Sequence, residues 1–544
     1  MSSGTEISNN ISYAQALQNF LKQTEFPARE LAIDEAALLE RFHPDHNQEN
    51  IETLQVGPNK GEPCHKQIAR FLQADSRIDA ADLAGARIQE TDILVIGGGG
   101  AGCAAALTAA EKGAKVILAT KLRLGDSNTV MAEGGIQAAI EKGDTPQSHY
   151  DDTYQAGHQQ GKKELIKQLV MDGPETIRWL IQQGMQFDVD EFGDLLTRKA
   201  GGSSASRVVS FRDYTGLEMM RVLREAVDNS NIDVWHYSPA VELLSNESGH
   251  CAGAIISTLH NGRFVQINAR EVIIATGGIG RVHLNQFATS NHFGATGDGL
   301  VLAYRLGAKL RELDSFQYHP TGVAFPQHLS GTLITEGVRS AGAYLINALG
   351  ERFVDELKPR DIVAAAIIRE CEQGRGVTGD DGIRGVWLDT PGLEARHPGI
   401  LQQRFPKLLQ LGVKSKIDIR STPMLVYPTL HYQNGGVVID SNSLSSVPGL
   451  YCVGEVSGGI HGRNRLMGNA LLEIISFGRR AGAEAASQCQ SRGHKKIGIT
   501  HISNLRRELM QHGMSMTTKA PLLFPDYVHY DTDSQEDGNF GFGD

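Results

Sequence analysis

Residues 92–110 read DILVIGGGGAGCAAALTAA: an apolar run, four glycines, and a small-residue stretch rich in alanine. Ile93 to Ala110 carries no charge over 18 residues, the lower limit for a membrane helix. Four consecutive glycines make a poor helix, so the stretch reads instead as a buried strand, a tight turn and a close-packed helix. Gly97, Gly99 and Gly102 stand in G-x-G-x-x-G spacing. The first glycine allows the turn, the second lets backbone N–H groups approach a pyrophosphate, and the third lets the helix pack on the strand. A second apolar run, AKVILAT at 114–120, completes a strand–helix–strand unit. The motif is weak alone. Its context makes a dinucleotide site the better reading over a glycine-rich packing turn.

Outward from this unit, two more apolar runs end in glycines, REVIIATGGIG at 270–280 and PGLYCVGEVSGG at 448–459. Three such elements far apart predict one nucleotide-binding sheet assembled from distant segments. Residues before about 90 differ. They are polar with helical spacing (Ala14, Leu17, Phe20, Leu21; Leu31, Ala36, Leu39, Phe42), interrupted by VGPNKGEPCH at 56–65. From about Pro521 the chain turns acidic and aromatic without periodicity, and is expected to be a loose end.

Glycine makes up 61 of 544 residues, with no Gly-X-Y period. Hydrophobic residues at 40% and charged residues at 21% describe a globular chain with a sizeable core. A net charge of −11 excludes nucleic acid as the main partner and gives no basic footprint for a membrane. Cys64, Cys103, Cys251, Cys371, Cys452 and Cys489 form no C-x-x-C pair, so neither a thiolate zinc site nor a closely spaced iron–sulfur motif is expected, and no metal site is assigned. Their spread favours a reducing compartment. The first twenty residues lack the basic and apolar regions of a signal peptide.

The second strand ends Ala119-Thr120-Lys121, without the acid that binds an NAD ribose. Lys121 keeps NADP open as an alternative, but the loop at 125–135, GDSNTVMAEGG, offers backbone donors close to a planar ring and favours FAD. SNTVMAEGG at 127–135 resembles the S-H-T-x-A-A-x-G-G segment of the fumarate reductase/succinate dehydrogenase flavoprotein subunits, whose relatives include L-aspartate oxidase. The resemblance continues through ATGGIG (275–280), ATGDG (295–299), HPTG (319–322), TEGVRSAG (335–342), PRDIV (359–363), HYQNGG (431–436) and HGRNRLMGNALLE (461–473).

This resemblance implies an α/β fold: an FAD-binding Rossmann-like domain with an inserted α+β capping domain and a helical N-terminal extension. The expected boundaries are 1–90 for the extension, 91–313 and 431–490 for the two parts of the FAD-binding domain, 314–430 for the cap and 491–544 for a short tail. It implies FAD contacts at Lys121, Ser127, Asn128, Thr129, Gly134, Gly135, Ala240, Asp298, Glu455, Arg465 and Leu471, besides Gly97, Gly99 and Gly102. It implies dicarboxylate binding by His319, Thr335, His431 and Arg465. Arginine offers a planar fork for a carboxylate, and histidine and threonine offer directional donors. The reaction implied is interconversion of fumarate and succinate, with hydride from flavin N5 and a proton from Arg360. Arginine is a poor acid, with a pKa above ~12, and only the resemblance selects it. Glu336 and Arg339 match the relay that returns its proton.

Each residue also has a plainer reading: a turn at His319, a core histidine at His431, a helix-start ion pair at Arg360 and Asp361, a surface pair at Glu336 and Arg339, a helix cap at Asp298, a surface charge at Glu455. Asn128 replaces the histidine that membrane-bound members link covalently to flavin, so noncovalent FAD is expected. Asn434, Arg463, Met467 and Ala470 are further departures, and Arg463 and Asn434 are placed to reshape the substrate pocket. The lack of a cluster motif implies that the partner is a separate iron–sulfur electron-transfer subunit. The expected location is cytoplasmic, at most peripheral on the inner face of the membrane through partner subunits. L-aspartate oxidation and a noncatalytic flavin-binding role are the competing functions.

Overall fold

The computed structural model describes residues 11–23, 25–27, 34–282, 284–378, 383–490 and 497–525. The apolar run after Thr91 is the buried end of the strand Arg87–Ile96, and the alanine-rich stretch is the helix Gly100–Glu111. Ten consecutive helix residues, Gly100 to Ala109, are buried. Small side chains permit this, because the helix lies tightly between the sheet and the helix Asn469–Cys489. A β-carbon on Gly482 would lie 2.2 Å from the Ala105 carbonyl oxygen, so larger residues would force the two helices apart.

An eight-stranded sheet carries this unit. Asp233–Trp235, Val116–Ala119, Arg87–Ile96 and Arg263–Ile274 run parallel, in that order. Cys251–Thr258 and Ala240–Asn246 follow antiparallel. Leu450–Cys452 pairs in parallel with the end of Arg263–Ile274. The register sets Ile96 against Ala119 and Ile274. The three glycine turns, beginning at Gly97, Gly277 and Gly454, therefore emerge at one edge. In open α/β sheets, ligands bind in the crevice outside these carboxyl ends.

A second, six-stranded sheet is built around Met424–Gln433, flanked by Phe316–Val323 and Arg384–Leu388. The helix Arg360–Glu372 packs against it and is buried from Arg360 to Cys371. Apolar residues dominate this helix, yet Arg360, Asp361, Arg369 and Glu370 are buried too, which requires partners for each. The strand Ile11–Ser12 pairs with Val377–Thr378 at the outer edge of this sheet, and the helix Glu35–Phe42 packs on Arg360–Glu372. The polar segment also forms a hairpin, Ile51–Thr53 with Pro63–His65, whose turn is the Pro/Gly/Asn stretch.

The expected loose end is corrected over its described part. Lys519–Ala520 pairs in parallel with Asp75–Ser76, and Leu523 is buried in a small apolar cluster with Ile78, Val241 and Ile502. An extended strap has no helical period, so the sequence pattern could not reveal it. The remainder of that segment, 526–544, lies outside the described residues. Among the described residues, no helix is long and apolar enough to cross a membrane.

Candidate active site

A cavity of about 830 Å³ opens at the sheet edge and runs from the glycine turn to a cluster of buried arginines and histidines. Gly97 needs its glycine: φ is +119°, and a β-carbon would lie 2.2 Å from the Ala275 carbonyl oxygen. Gly99 lines the cavity. Gly102 does not. It lets the helix approach the strand, since its β-carbon would sit 1.8 Å from the Gly97 carbonyl oxygen. A β-carbon at Gly277 would meet no protein atom, so this glycine faces open space at the cavity wall. The helix N-terminus at Gly100 points its free N–H groups to the same place, a favourable environment for phosphate. These features fit a dinucleotide, and the nearby Thr276 hydroxyl is buried without a partner.

Beyond the turn, Thr129 Oγ1 accepts from the Gly100 N–H at 3.2 Å, and Ser127 Oγ donates to the Gly125 carbonyl. Asn128 joins three segments. Its Nδ2 donates to Asn291 Oδ1 at 2.8 Å and to Glu455 Oε2 at 3.1 Å, while its Oδ1 accepts from the His292 N–H at 2.6 Å. Glu455 is buried rather than a surface charge. Its other oxygen accepts from the Gln433 N–H, and burial raises its pKa. Gly134, Gly135, Ala240 and Leu471 also line the cavity. Lys121 Nζ reaches Asp298 Oδ2 at 2.7 Å, so Asp298, the first residue of its helix, is a cavity-wall ion pair as well as a helix start.

At the far end Glu336 accepts from Arg360 Nε at 2.8 Å, from Arg339 Nη2 at 3.4 Å and from the Gly201 N–H at 2.8 Å. Both members of the Glu336–Arg339 pair are 2% exposed, which removes the surface-pair reading. The two guanidiniums hold the Glu336 carboxyl down at about 2 against the effect of burial, so it stays ionised. Arg339 lies behind Glu336 and does not line the cavity. Gln317 Oε1 accepts from both Arg360 Nη1 at 2.9 Å and Arg465 Nη2 at 3.0 Å. Arg465 lies 4.2 Å over the Tyr432 ring, and its Nε is buried without a partner. Burial pulls its pKa down to about 10, which leaves it charged at neutral pH.

The rings of His319 and His431 are 5.2 Å apart. Burial and the Arg360 charge drive both pKa values well below the usual histidine range, so both are neutral. His319 Nδ1 accepts from the Thr321 N–H, which leaves the proton on Nε2 as a donor. Thr335 caps its helix by accepting from the Gly337 N–H, and its own hydroxyl proton is available to the cavity. The result is an apolar-walled chamber with three guanidiniums around one carboxylate and several neutral donors. Such a site suits a dianion.

Gln317 was not singled out by the sequence, although it lies two residues before His319 on one strand and so on the same face. Glu133 and Lys407 were also missed. They form an ion pair of 2.9 Å that joins the loop beside Gly134 to the helix Pro406–Ser415. Arg463 and Asn434 do not line the cavity. Arg463 makes a bidentate pair with Asp314, and Asn434 Nδ2 donates to the Arg463 carbonyl. Their expected reshaping of the pocket is therefore not found. Met467 and Ala470 do line it.

Burial raises the Glu133 carboxyl to about 7, opposed chiefly by Lys407. A raised carboxyl favours the folded state below its unfolded value of about 4.5, and this contribution is lost as pH rises towards 7. In Lys407→Met the opposing charge is gone, so the infrared band of the protonated carboxyl is expected to persist above pH 7. In the parent protein it should fade there.

A model of the FAD binding domain family matches residues 92–471. A CoM/CoB fumarate reductase flavoprotein from Methanothermobacter marburgensis is 37% identical over 420 residues, covering 75% of this chain and 75% of that protein. An L-aspartate oxidase from Streptomyces coelicolor is 37% identical over 411 residues, covering 73% of this chain and 68% of that protein. Among solved structures, an E. coli quinol fumarate reductase superposes with a TM-score of 0.70 at 31% identity, covering 78% of this chain and 74% of that chain.

Proposed function

The chain belongs to the FAD binding domain family, and we propose that it interconverts fumarate and succinate, or a closely related dicarboxylate, with FAD held noncovalently. It is an FAD-dependent oxidoreductase of the fumarate reductase and L-aspartate oxidase type. Equal identity to relatives with different reactions does not choose between them. The reading rests on the bridge of Arg360, Gln317 and Arg465 beside Glu336, which places excess positive charge where two carboxylates would lie.

In this reading Gly97, Gly99 and the N-terminus of Gly100–Glu111 hold the pyrophosphate. Lys121 and Asp298 lie at the adenosine half. Ser127, Asn128, Thr129, Gly134, Gly135, Ala240, Glu455 and Leu471 surround the rest. Residues 314–430 act as the cap that brings Arg360 to the cofactor. Bound FAD supplies the pair of electrons. Arg465, His431, His319 and Thr335 fix the two carboxylates and hold the alkene in one orientation, which converts an encounter into a positioned reaction. Arg360 is tied at Nε and Nη1. Its Nη2, without a protein partner among the described residues, faces the substrate, supplies the proton and stabilises the carbanion-like charge. Glu336 and Arg339 restore that proton. Electrons come from a separate iron–sulfur protein, so any membrane association is indirect and peripheral.

Asparagine at 128 has no ring nitrogen to link to flavin. Acid precipitation is expected to release all the yellow colour, and colour kept in the pellet would contradict noncovalent binding. The functional test is anaerobic turnover of fumarate with reduced viologen, run beside oxidation of L-aspartate by oxygen. Fumarate turnover supports the reading. Peroxide and iminoaspartate would replace it with amine oxidation, for which Glu133 is the cavity carboxylate that could receive an ammonium group.

A further inference from the structure

The strap at 519–524 ends against the cavity wall, where Lys121 and Asp298 meet. This is the side of the crevice at the end of the second parallel strand, where a dinucleotide places the ribose of its adenosine half. Asp298 Oδ2 accepts from Lys121 Nζ at 2.7 Å. Asp298 Oδ1 accepts from the Leu523 N–H at 3.1 Å. Thr296 Oγ1 lies 2.9 Å from that same oxygen and 3.3 Å from the Leu523 carbonyl oxygen. Lys121 Nζ stands 5.7 Å from the centroid of the Phe524 ring, and that ring stacks on Phe293 at 5.6 Å.

Leu523 holds φ at +68°. A bulky L-residue rarely adopts this left-handed conformation, and such strain persists only where the surroundings impose it. Here they do. Ala520 is paired with Ser76, and its carbonyl accepts from Arg305 Nη2 at 2.9 Å. Arg77 holds the next two carbonyls, those of Pro521 and Leu522. The Leu523 side chain is 9% exposed. The chain is thus fastened on both sides of the strained residue so that its N–H reaches Asp298.

We propose that residues 521–524 are part of the FAD site, and that the Leu523 N–H and the Phe524 ring fix the Lys121–Asp298 pair and so set affinity for the adenosine half of the cofactor. This rests on the placement of the adenosine half at Lys121 and Asp298. The strap is a positioning element with no role in the chemical step.

The test uses the full chain, stripped of FAD and titrated with FAD by fluorescence quenching, with ADP as a competing probe of the adenosine half. Leu523→Pro has no N–H and cannot reach positive φ. It should weaken FAD and ADP alike by about tenfold or more, as expected for a lost hydrogen bond to a charged group. Leu523→Gly keeps the N–H and takes the left-handed conformation freely, so it should stay within about threefold of the parent by the same measure. Phe524→Ala keeps the backbone and should weaken both ligands several-fold, which preserves the test should the proline variant fail to fold. Unchanged affinities in Leu523→Pro and Phe524→Ala would overturn the proposal, as would weaker FAD binding with unaltered ADP binding. A glycine variant as weak as the proline variant would also overturn it. Asp298→Ala separates the two claims. Unchanged ADP affinity there refutes the placement of the adenosine half, whereas a loss there without a loss in the strap variants refutes the strap alone.

Discussion

Arg360→Lys should retain its full complement of FAD and lose fumarate reduction by about 10³-fold or more, within the range of a removed general acid. The substitution keeps the positive charge, so it tests geometry and proton delivery rather than charge alone. Arg360 uses one nitrogen on Glu336 and another on Gln317, at 2.8 and 2.9 Å, and still presents a third. A lysine ammonium is a single point at the end of a flexible stem and cannot reproduce that fork. The FAD absorbance of the purified variant gives cofactor content, and steady-state assay gives kcat. The glycine turn and Asn128 network are untouched, so binding of FAD should be unaltered. Near-parental turnover would remove Arg360 from the chemical step.

Glu336→Gln is expected to be nearly as damaging and also to destabilise the protein. The carboxylate is 2% exposed and receives Arg360, Arg339 and the Gly201 N–H. Removing one partner of a buried ion pair typically costs about 3–5 kcal/mol. Glutamine also cannot relay a proton as a carboxylate does, so turnover should fall about 10²–10⁴-fold. The sign of the pH effect is fixed. The Glu336 carboxyl is lowered to about 2 from about 4.5, so its stabilisation is complete above pH 4.5 and lost as pH falls towards 2. Acid unfolding followed by circular dichroism should show this component in the parent and not in Glu336→Gln. Equal acid sensitivity in both would mean that Glu336 is not held ionised by the arginines.

The nucleotide-binding unit was legible because its chemistry is local. Strand, glycine turn and helix are contiguous, and Gly97 and Gly102 each answer a steric demand that only a residue without a β-carbon meets. The separate glycine-ended strands at 270–280 and 448–459 were legible by the same signal. The strand Ile11–Ser12 and the strap at 519–524 were not, because each is two residues of pairing with a segment hundreds of positions away. Gln317 and Glu133 escaped for a related reason. Their roles come from what folding brings to them, two arginines for one and Lys407 for the other. Arg463 shows the converse, a conspicuous departure within a motif that turns towards Asp314 and away from the cavity.

The central claim is that this chain passes a pair of electrons from its own FAD to a dicarboxylate alkene. The most direct test needs no partner protein: reduce the bound FAD with dithionite under anaerobic conditions, remove excess reductant, and mix with fumarate in a stopped-flow spectrometer. The account predicts return of the oxidised flavin spectrum with one succinate formed per FAD. A flavin that stays reduced in the presence of fumarate would contradict it.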